Sequence, residues 1–220
     1  MRTYLASPNN QLQAHAANGM DVLVSFALRS KWLEDYTSSF RHILIDSGAY
    51  SVMNSGATVD PLEYRDWNQR WDGVADAVAG LDDINGDWAQ SLRNYNTAGG
   101  FPTFHDTDPP SLLEYLCEMS RERGGWIGIG LKPPRHGKRE WVRQTLEKIP
   151  RDLHVHGWAM RQYADLARFD SMDSTNWWRD GYKLKTQLPY LTYGECLDII
   201  VKRYQRVAPV KHDTTEERLF

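Results

Sequence analysis

Eight short runs rich in β-branched and aliphatic residues recur along this chain at intervals of about a strand plus a helix. They cover residues 3–6, 22–26, 42–46, 76–82, 101–105, 126–131, 153–158 and 171–175, and several end in an acid, a histidine or a glycine where a polar loop begins. Helical stretches with start signals lie between them. Asp60-Pro61 opens 62–71, Asp108-Pro109-Pro110 opens 111–123, and Gly137 precedes 138–148. Proline costs little in a first helical turn, where its missing N–H would have no partner. Strand and helix alternating throughout implies parallel strands joined by right-handed crossovers. Eight such units close a compact (βα)8 barrel, an α/β fold, over residues 1–208; a doubly wound open sheet is the competing arrangement. A last helix is expected at about 190–207, followed by a charged, frayed tail at 209–220.

A chain of 220 residues with 41% hydrophobic and 12% aromatic content can bury one sizeable core, so one domain is expected. The formal net charge of −3 excludes a wholly basic nucleic-acid binder but leaves room for a positive patch on one face. Cys117 and Cys196 are too few and too far apart for a disulfide framework or a zinc knuckle, and are expected as reduced, buried thiols. No run approaches the roughly 18 apolar residues of a membrane span, and the N-terminus does not resemble a secretory signal, so a cytoplasmic protein is expected.

In a (βα)8 barrel the reactive groups sit at the C-terminal ends of the strands. Those ends carry Ser7, Ser25, Asp46, Asp82 with Asp83, His105, Gly130 with Lys132, His156 with Trp158, and Asp173. Asp46 leaves the sheet at once through Ser47-Gly48, which desolvates its carboxylate on one side, raises its pKa and suits it to proton transfer. A turn-forming role is the commoner one for an isolated Asp-Ser-Gly. On the last strand Asp173 points into the barrel mouth with Ser171 below it, while Asp170 faces the helices. Asp46 and Asp173 then form a carboxylate pair suited to one nucleophile and one acid/base. The rival use of such acids is a metal site with His105 and His156, serving a hydrolase or lyase; histidines that hydrogen-bond within a polar pocket are the preferred reading. Gly128 and Gly130 would let a flat ligand lie on the backbone, but lack the third glycine of a dinucleotide fingerprint. Tyr50, Trp88, Phe104, Trp158, Trp177 and Trp178 crowd the expected rim. With Lys132, Arg135, Arg179 and Lys183 they could stack bases and hold phosphates.

The order of these motifs resembles one known family. Ile43-Leu44-Ile45-Asp46-Ser47-Gly48-Ala49-Tyr50, Gly80-Leu81-Asp82-Asp83, Phe101-Pro102-Thr103-Phe104-His105, Gly128-Ile129-Gly130, His154-Val155-His156-Gly157-Trp158 and Ser171-Met172-Asp173-Ser174-Thr175 are similar, in sequence order, to the tRNA-guanine transglycosylases, and above all to their small phage-type relatives. The resemblance runs from about residue 3 to residue 181. It implies a barrel that exchanges guanine in nucleic acid for a free 7-deazaguanine base through a covalent glycosyl-enzyme intermediate. No cofactor is implied. Asp173 resembles the nucleophile and Asp46 the acid/base. Asp82, with Asp83 beside it, resembles the acid that reads the guanine edge. Ser47, Gly48, His105, Gly128, Gly130, His156, Gly157 and Trp158 resemble the lining of the base pocket, and Tyr50 an aromatic that stacks on the base. Two departures bear on the acceptor: the three-cysteine, one-histidine zinc segment of the larger enzymes has no counterpart here, and Thr175-Asn176-Trp177 stands where they carry Pro-Thr-Arg. DNA is therefore favoured over tRNA, and the small size leaves nucleic-acid docking to a partner protein or a second copy. A third reading keeps the barrel as a binding module without turnover.

Overall fold

Each of the eight apolar runs forms a strand: β1 (Arg2–Ala6), β2 (Asp21–Ser25), β3 (His42–Asp46), β4 (Ala77–Val78), β5 (Thr103–His105), β6 (Trp126–Gly130), β7 (His154–Gly157) and β8 (Ser171–Ser174). The computed structural model describes residues 1–205 except 54–56, 84, 134–136 and 167. All strand pairs are parallel, in the order β4-β3-β2-β1-β8-β7-β6-β5. The two outer strands meet through one bridge, Ala79 to Phe101, where Phe101 N–H donates to the Val78 carbonyl and Gly80 N–H to the Phe101 carbonyl, each at 2.8 Å. That contact closes the sheet into a TIM-type (βα)8 barrel.

Alternation of side chains across each strand sorts the sequence into two environments. Tyr4, Ala6, Leu23, Leu44, Ala79 and Phe101 fill the barrel interior, with the Phe101 and Trp158 rings stacked at 6.1 Å. Their neighbours Leu5, Val22, Val24, Ile43 and Ile45 face outward under one half of the helix layer, and Ile127, Ile129, Val155 and Met172 under the other. Strands buried on both faces read as near-continuous apolar runs, which is why they stand out in the sequence.

The helices are α1 (Gln11–Ala16), α2 (Lys31–Glu34), α3 (Ala49–Met53), α4 (Pro61–Asn68), α5 (Trp88–Ala98), α6 (Leu112–Glu122), α7 (Arg139–Lys148), α8 (Asn176–Gln187) and α9 (Tyr193–Gln205). The Asp60 carboxylate accepts from the N–H groups of Leu62 and Glu63, and Asp87 caps α5 through Ala89 and Gln90 in the same way. Both thiols, Cys117 and Cys196, are buried and free. Among the described residues no helix is long and apolar enough to cross a membrane.

Three expectations need correction. The fourth strand is not residues 76–82 but two residues long. After the Ala79 bridge the backbone passes against the Tyr95 ring at Gly80, where a Cβ would sit 2.4 Å from that ring. Alternation of strand and helix fails once among the described residues, between β7 and β8, where they hold only a 3-10 turn, Arg161–Tyr163. Met160, Tyr163 and Phe169 bury themselves directly on the outer face of the sheet there and take the place of a helix. The last helix begins later than residue 190, because Thr192 and Glu195 cap it reciprocally: Thr192 N–H donates to Glu195 Oε2 at 2.7 Å, and Glu195 N–H to Thr192 Oγ1 at 3.2 Å. The tail at 209–220 lies outside the described residues.

Candidate active site

A cavity of about 270 Å³ opens at the C-terminal ends of the strands, lined among others by Ser7, Asp46, Ser47, Tyr50, Gly80, Asp82, His105, Gly130, Lys132, Trp158, Ala159 and Asp173. Every strand except β2 delivers a residue to it from its last position or the loop just beyond. Leu23 supplies the β2 wall from within the strand.

Asp46 is the last residue of β3, half-buried. Gly48 N–H donates to its Oδ2 at 3.0 Å, so the acid also organises the turn that follows it. Gly48 adopts φ +70°, and a Cβ there would lie 2.2 Å from Ser25 Oγ, so only glycine fits. The Asp46 carboxyl is pushed up to about 7: burial is the main cause, the Asp173 charge adds to it, and the Gly48 N–H partly opposes it. A carboxyl with that value holds its proton about half the time at neutral pH, the condition for giving and taking a proton in alternate steps.

Asp173, 8% exposed, lies on β8 in register with Tyr4 of β1. Ala159 N–H donates to its Oδ1 at 2.7 Å, and His156 Nε2 lies 3.6 Å from the same oxygen. Ala159 aims that N–H from a left-handed backbone at φ +51°, and Ser7, also on the cavity wall, has φ +47°. These are the two non-glycine residues described with positive φ. Side chains with a Cβ rarely adopt that conformation, and such strain concentrates at functional sites.

Across the cavity Asp82 belongs to a polar network. Tyr95 Oη donates to its Oδ1, and His105 Nε2 lies 3.5 Å from its Oδ2. His105 is held from its other side by Asp108, whose Oδ2 accepts the His105 backbone N–H at 2.8 Å and stands 3.6 Å from Nδ1. Burial pushes the Asp82 carboxyl above its ordinary value, against the opposing pull of His105 and Tyr95. Burial opposes a charge on His105 too, but Asp82 and Asp108 outweigh it and raise the imidazole pKa. Gly130 makes room for this network, since a Cβ there would come within 2.6 Å of the His105 ring.

Of the residues singled out in the sequence, Asp46, Ser47, Tyr50, Asp82, His105, Gly130, Lys132, Trp158 and Asp173 line one cavity. Others are placed elsewhere. Gly128 lies a layer deeper, against Trp158 and Thr103, and His156 is wholly buried beneath Asp173. Gly157 faces Phe169 and Met160 on the helix side. Asp83 turns to the start of α5, where its Oδ2 accepts the Asp87 N–H at 3.0 Å. Trp177, expected to meet nucleic acid, is instead a core residue with no exposure; its indole N–H donates to the Ala6 carbonyl at 3.1 Å. Position 177 falls on the inward face of α8, which an apolar aromatic there satisfies. Arg179 stacks over Trp178 on the outside of α8, and Lys183, about 6 Å further along that helix, pairs with Asp180. Arg135 lies outside the described residues. Sequence reasoning missed Tyr95, Asp108 and Ala159. Of these only Asp108 carried a signal, as the acid of the Asp108-Pro109-Pro110 helix opening.

Among the described residues no group of three or more His, Cys, Asp or Glu side chains is arranged to hold a metal ion. The ligands of the metal-assisted reading are split: His156 reaches Asp173 from below, while His105 is engaged by Asp82 and Asp108 on the other wall.

Fold and site together define a TIM-type barrel with an acidic, partly apolar cavity at the C-terminal ends of its strands. No protein-family model matches the chain, and no curated protein matches it. A solved structure from Aquifex aeolicus VF5 is similar in fold: it covers 92% of this chain and 91% of its own, with a TM-score of 0.50 and 11% sequence identity. That likeness extends the barrel assignment over nearly the whole chain and says nothing of its chemistry.

Proposed function

We propose that this chain is a base-exchange transglycosylase that replaces guanine in a polynucleotide, DNA ahead of tRNA, by a free 7-deazaguanine base. The observation that carries the reading is the pair of carboxylates in one small cavity with different environments. Asp46 is desolvated and poised near neutrality, and Asp173 is fixed by a backbone N–H.

Asp173 attacks C1′ of the sugar, the C1′–N9 bond breaks, and its electron pair leaves with the base. Asp46, protonated, gives N9 its proton. Once guanine has left, the incoming base loses its N9 proton to the Asp46 carboxylate, N9 attacks C1′, and the ester to Asp173 breaks. The enzyme returns to its starting protonation state. Asp82 and His105 present an acceptor and a donor to the base edge, Tyr50 offers an aromatic face at the mouth, and Lys132 stands where phosphates would pass. A cavity this small takes one flat base and not a duplex, so the target nucleotide must be flipped out or already single-stranded. The work is placed in the cytoplasm, where the polymer and the free base meet.

Nucleoside mass spectrometry after incubation with DNA or tRNA and a free 7-deazaguanine base tests the reading, with Asp173→Asn as control. A deazaguanosine formed by the wild type alone is expected, from DNA in higher yield. Absence of product from both polymers, with the protein folded, would overturn the proposal.

A further inference from the structure

His156 has no task in the steps above, yet it is wholly buried and its Nε2 has no hydrogen-bond partner. Buried polar atoms are nearly always satisfied, so an orphan beside a reactive carboxylate calls for a reason. The ring is held tightly. Tyr4 and Trp158 approach it edge-on, with centroids at 6.0 and 4.3 Å, and its Nδ1 lies 2.9 Å from Ser171 Oγ. Ser171 Oγ also lies 2.8 Å from His154 Nε2. A hydroxyl has one proton to donate, so Ser171 can donate to only one of the two rings.

Two patterns satisfy Ser171. Either it donates to His156 Nδ1 and accepts from His154 Nε2–H, which places the His156 proton on Nε2; or it donates to His154 and accepts from His156 Nδ1–H. In the second pattern a singly protonated His156 would turn a lone pair on Nε2 toward an ionised Asp173, which is repulsive. An ionised Asp173 therefore selects an N–H at Nε2.

We infer that His156 is a positioning residue for Asp173: Ser171 sets its tautomer, and its Nε2–H, together with Ala159 N–H, holds Oδ1 so that Oδ2 is the oxygen that bonds C1′. At 3.6 Å the Nε2 contact is too long for a hydrogen bond. A small turn of the carboxylate closes it as charge returns to Asp173 when the glycosyl ester breaks, which is when a preorganised donor counts most. The kinetic part of this inference rests on the base-exchange reading, whereas the tautomer does not.

Two measurements test it. In ¹⁵N-histidine spectra of the wild type, His156 is expected to carry its proton on Nε2, with that resonance shifted by Asp173→Asn. A proton on Nδ1 with Nε2 bare would overturn the inference whatever the activity. In base-exchange assays His156→Leu is expected to lower kcat about a hundredfold with KM within about twofold, and His156→Gln, whose amide can place an N–H near Nε2, to recover at least about tenfold of that loss. Equal losses in both variants, or none in either, would overturn the positioning role. Correct tautomers in a folded wild type that exchanges no base would sink the base-exchange reading and leave the tautomer assignment standing.

Discussion

Asp173 and Asp46 differ in what each loses on becoming an amide. In Asp173→Asn the side-chain oxygen still accepts the Ala159 N–H, so the fold keeps its contact while the proposed nucleophile disappears. Turnover is expected to fall below detection with the melting temperature within about 2 °C of wild type; a large loss of stability would make Asp173 structural. Asp46 behaves oppositely. Its carboxyl titrates near 7 in the folded protein, against an ordinary 3.8. Between those values the folded state holds a proton that the unfolded state has released, so stability falls as pH rises through this window and levels off above about 7. Asp46→Asn removes the penalty while its amide oxygen can still accept from Gly48. It is expected to stabilise the protein by up to about 4 kcal/mol at pH 8 and by well under about 1 kcal/mol at pH 4, as denaturant titrations at the two pH values would show. The proposed glycosyl-transfer step, in which a protonated Asp46 serves as the acid, is expected to slow above pH 7 in single-turnover measurements. At this scale the sequence was legible wherever a charged residue closed an apolar run, as at Asp46, Asp82, His105 and Asp173. Ala159 was invisible, because its contribution is a backbone N–H and an unusual φ. Tyr95 was hidden because a buried tyrosine on a helix looks like any core aromatic until its hydroxyl is seen on Asp82.

Elements were read through periodicity and punctuation, and they failed where neither applied. Pro61 after Asp60 marked α4 because both the cap and the fixed φ of proline favour a helix start. Thr192 and Glu195 carry an equally physical signal, a capping box, and it places the start of α9 correctly once recognised. Thr192→Ala is expected to cost about 1 kcal/mol, read as a shift in denaturation midpoint without a change in slope. The turn after β3 is far less tolerant. Gly48→Ala must place a methyl against Ser25 Oγ from a left-handed backbone, so a loss of roughly 2–3 kcal/mol is expected, along with displacement of the Asp46 carboxylate. Wild-type melting behaviour in this variant would refute the tight packing described at this turn. The β7–β8 connection shows the limit of pattern reading: apolar residues without helical spacing were still enough to cover the sheet, because packing needs buried area and not a particular element.

At the scale of the whole molecule, one seam is unlike the others. β1 and β8 share four registered residue pairs and β2 and β3 five, whereas β4 and β5 meet through Ala79 and Phe101 alone. The chain is thus two four-stranded halves, joined firmly along β1–β8 and lightly along β4–β5. In native-state hydrogen exchange the amides of Gly80 and Phe101 are expected to exchange sooner than those of β2 and β3. Protection equal to that of the central strands would show the seam to be as strong as the rest. The same seam gives the protein a natural place to be divided. Cut in the loop just before α5, the chain separates into one piece carrying Asp46 and Asp82 and another carrying His105 and Asp173. Neither piece holds both acids, so the polypeptide could be remade as two co-expressed parts, and recovered activity would report their reassembly along the β1–β8 edge.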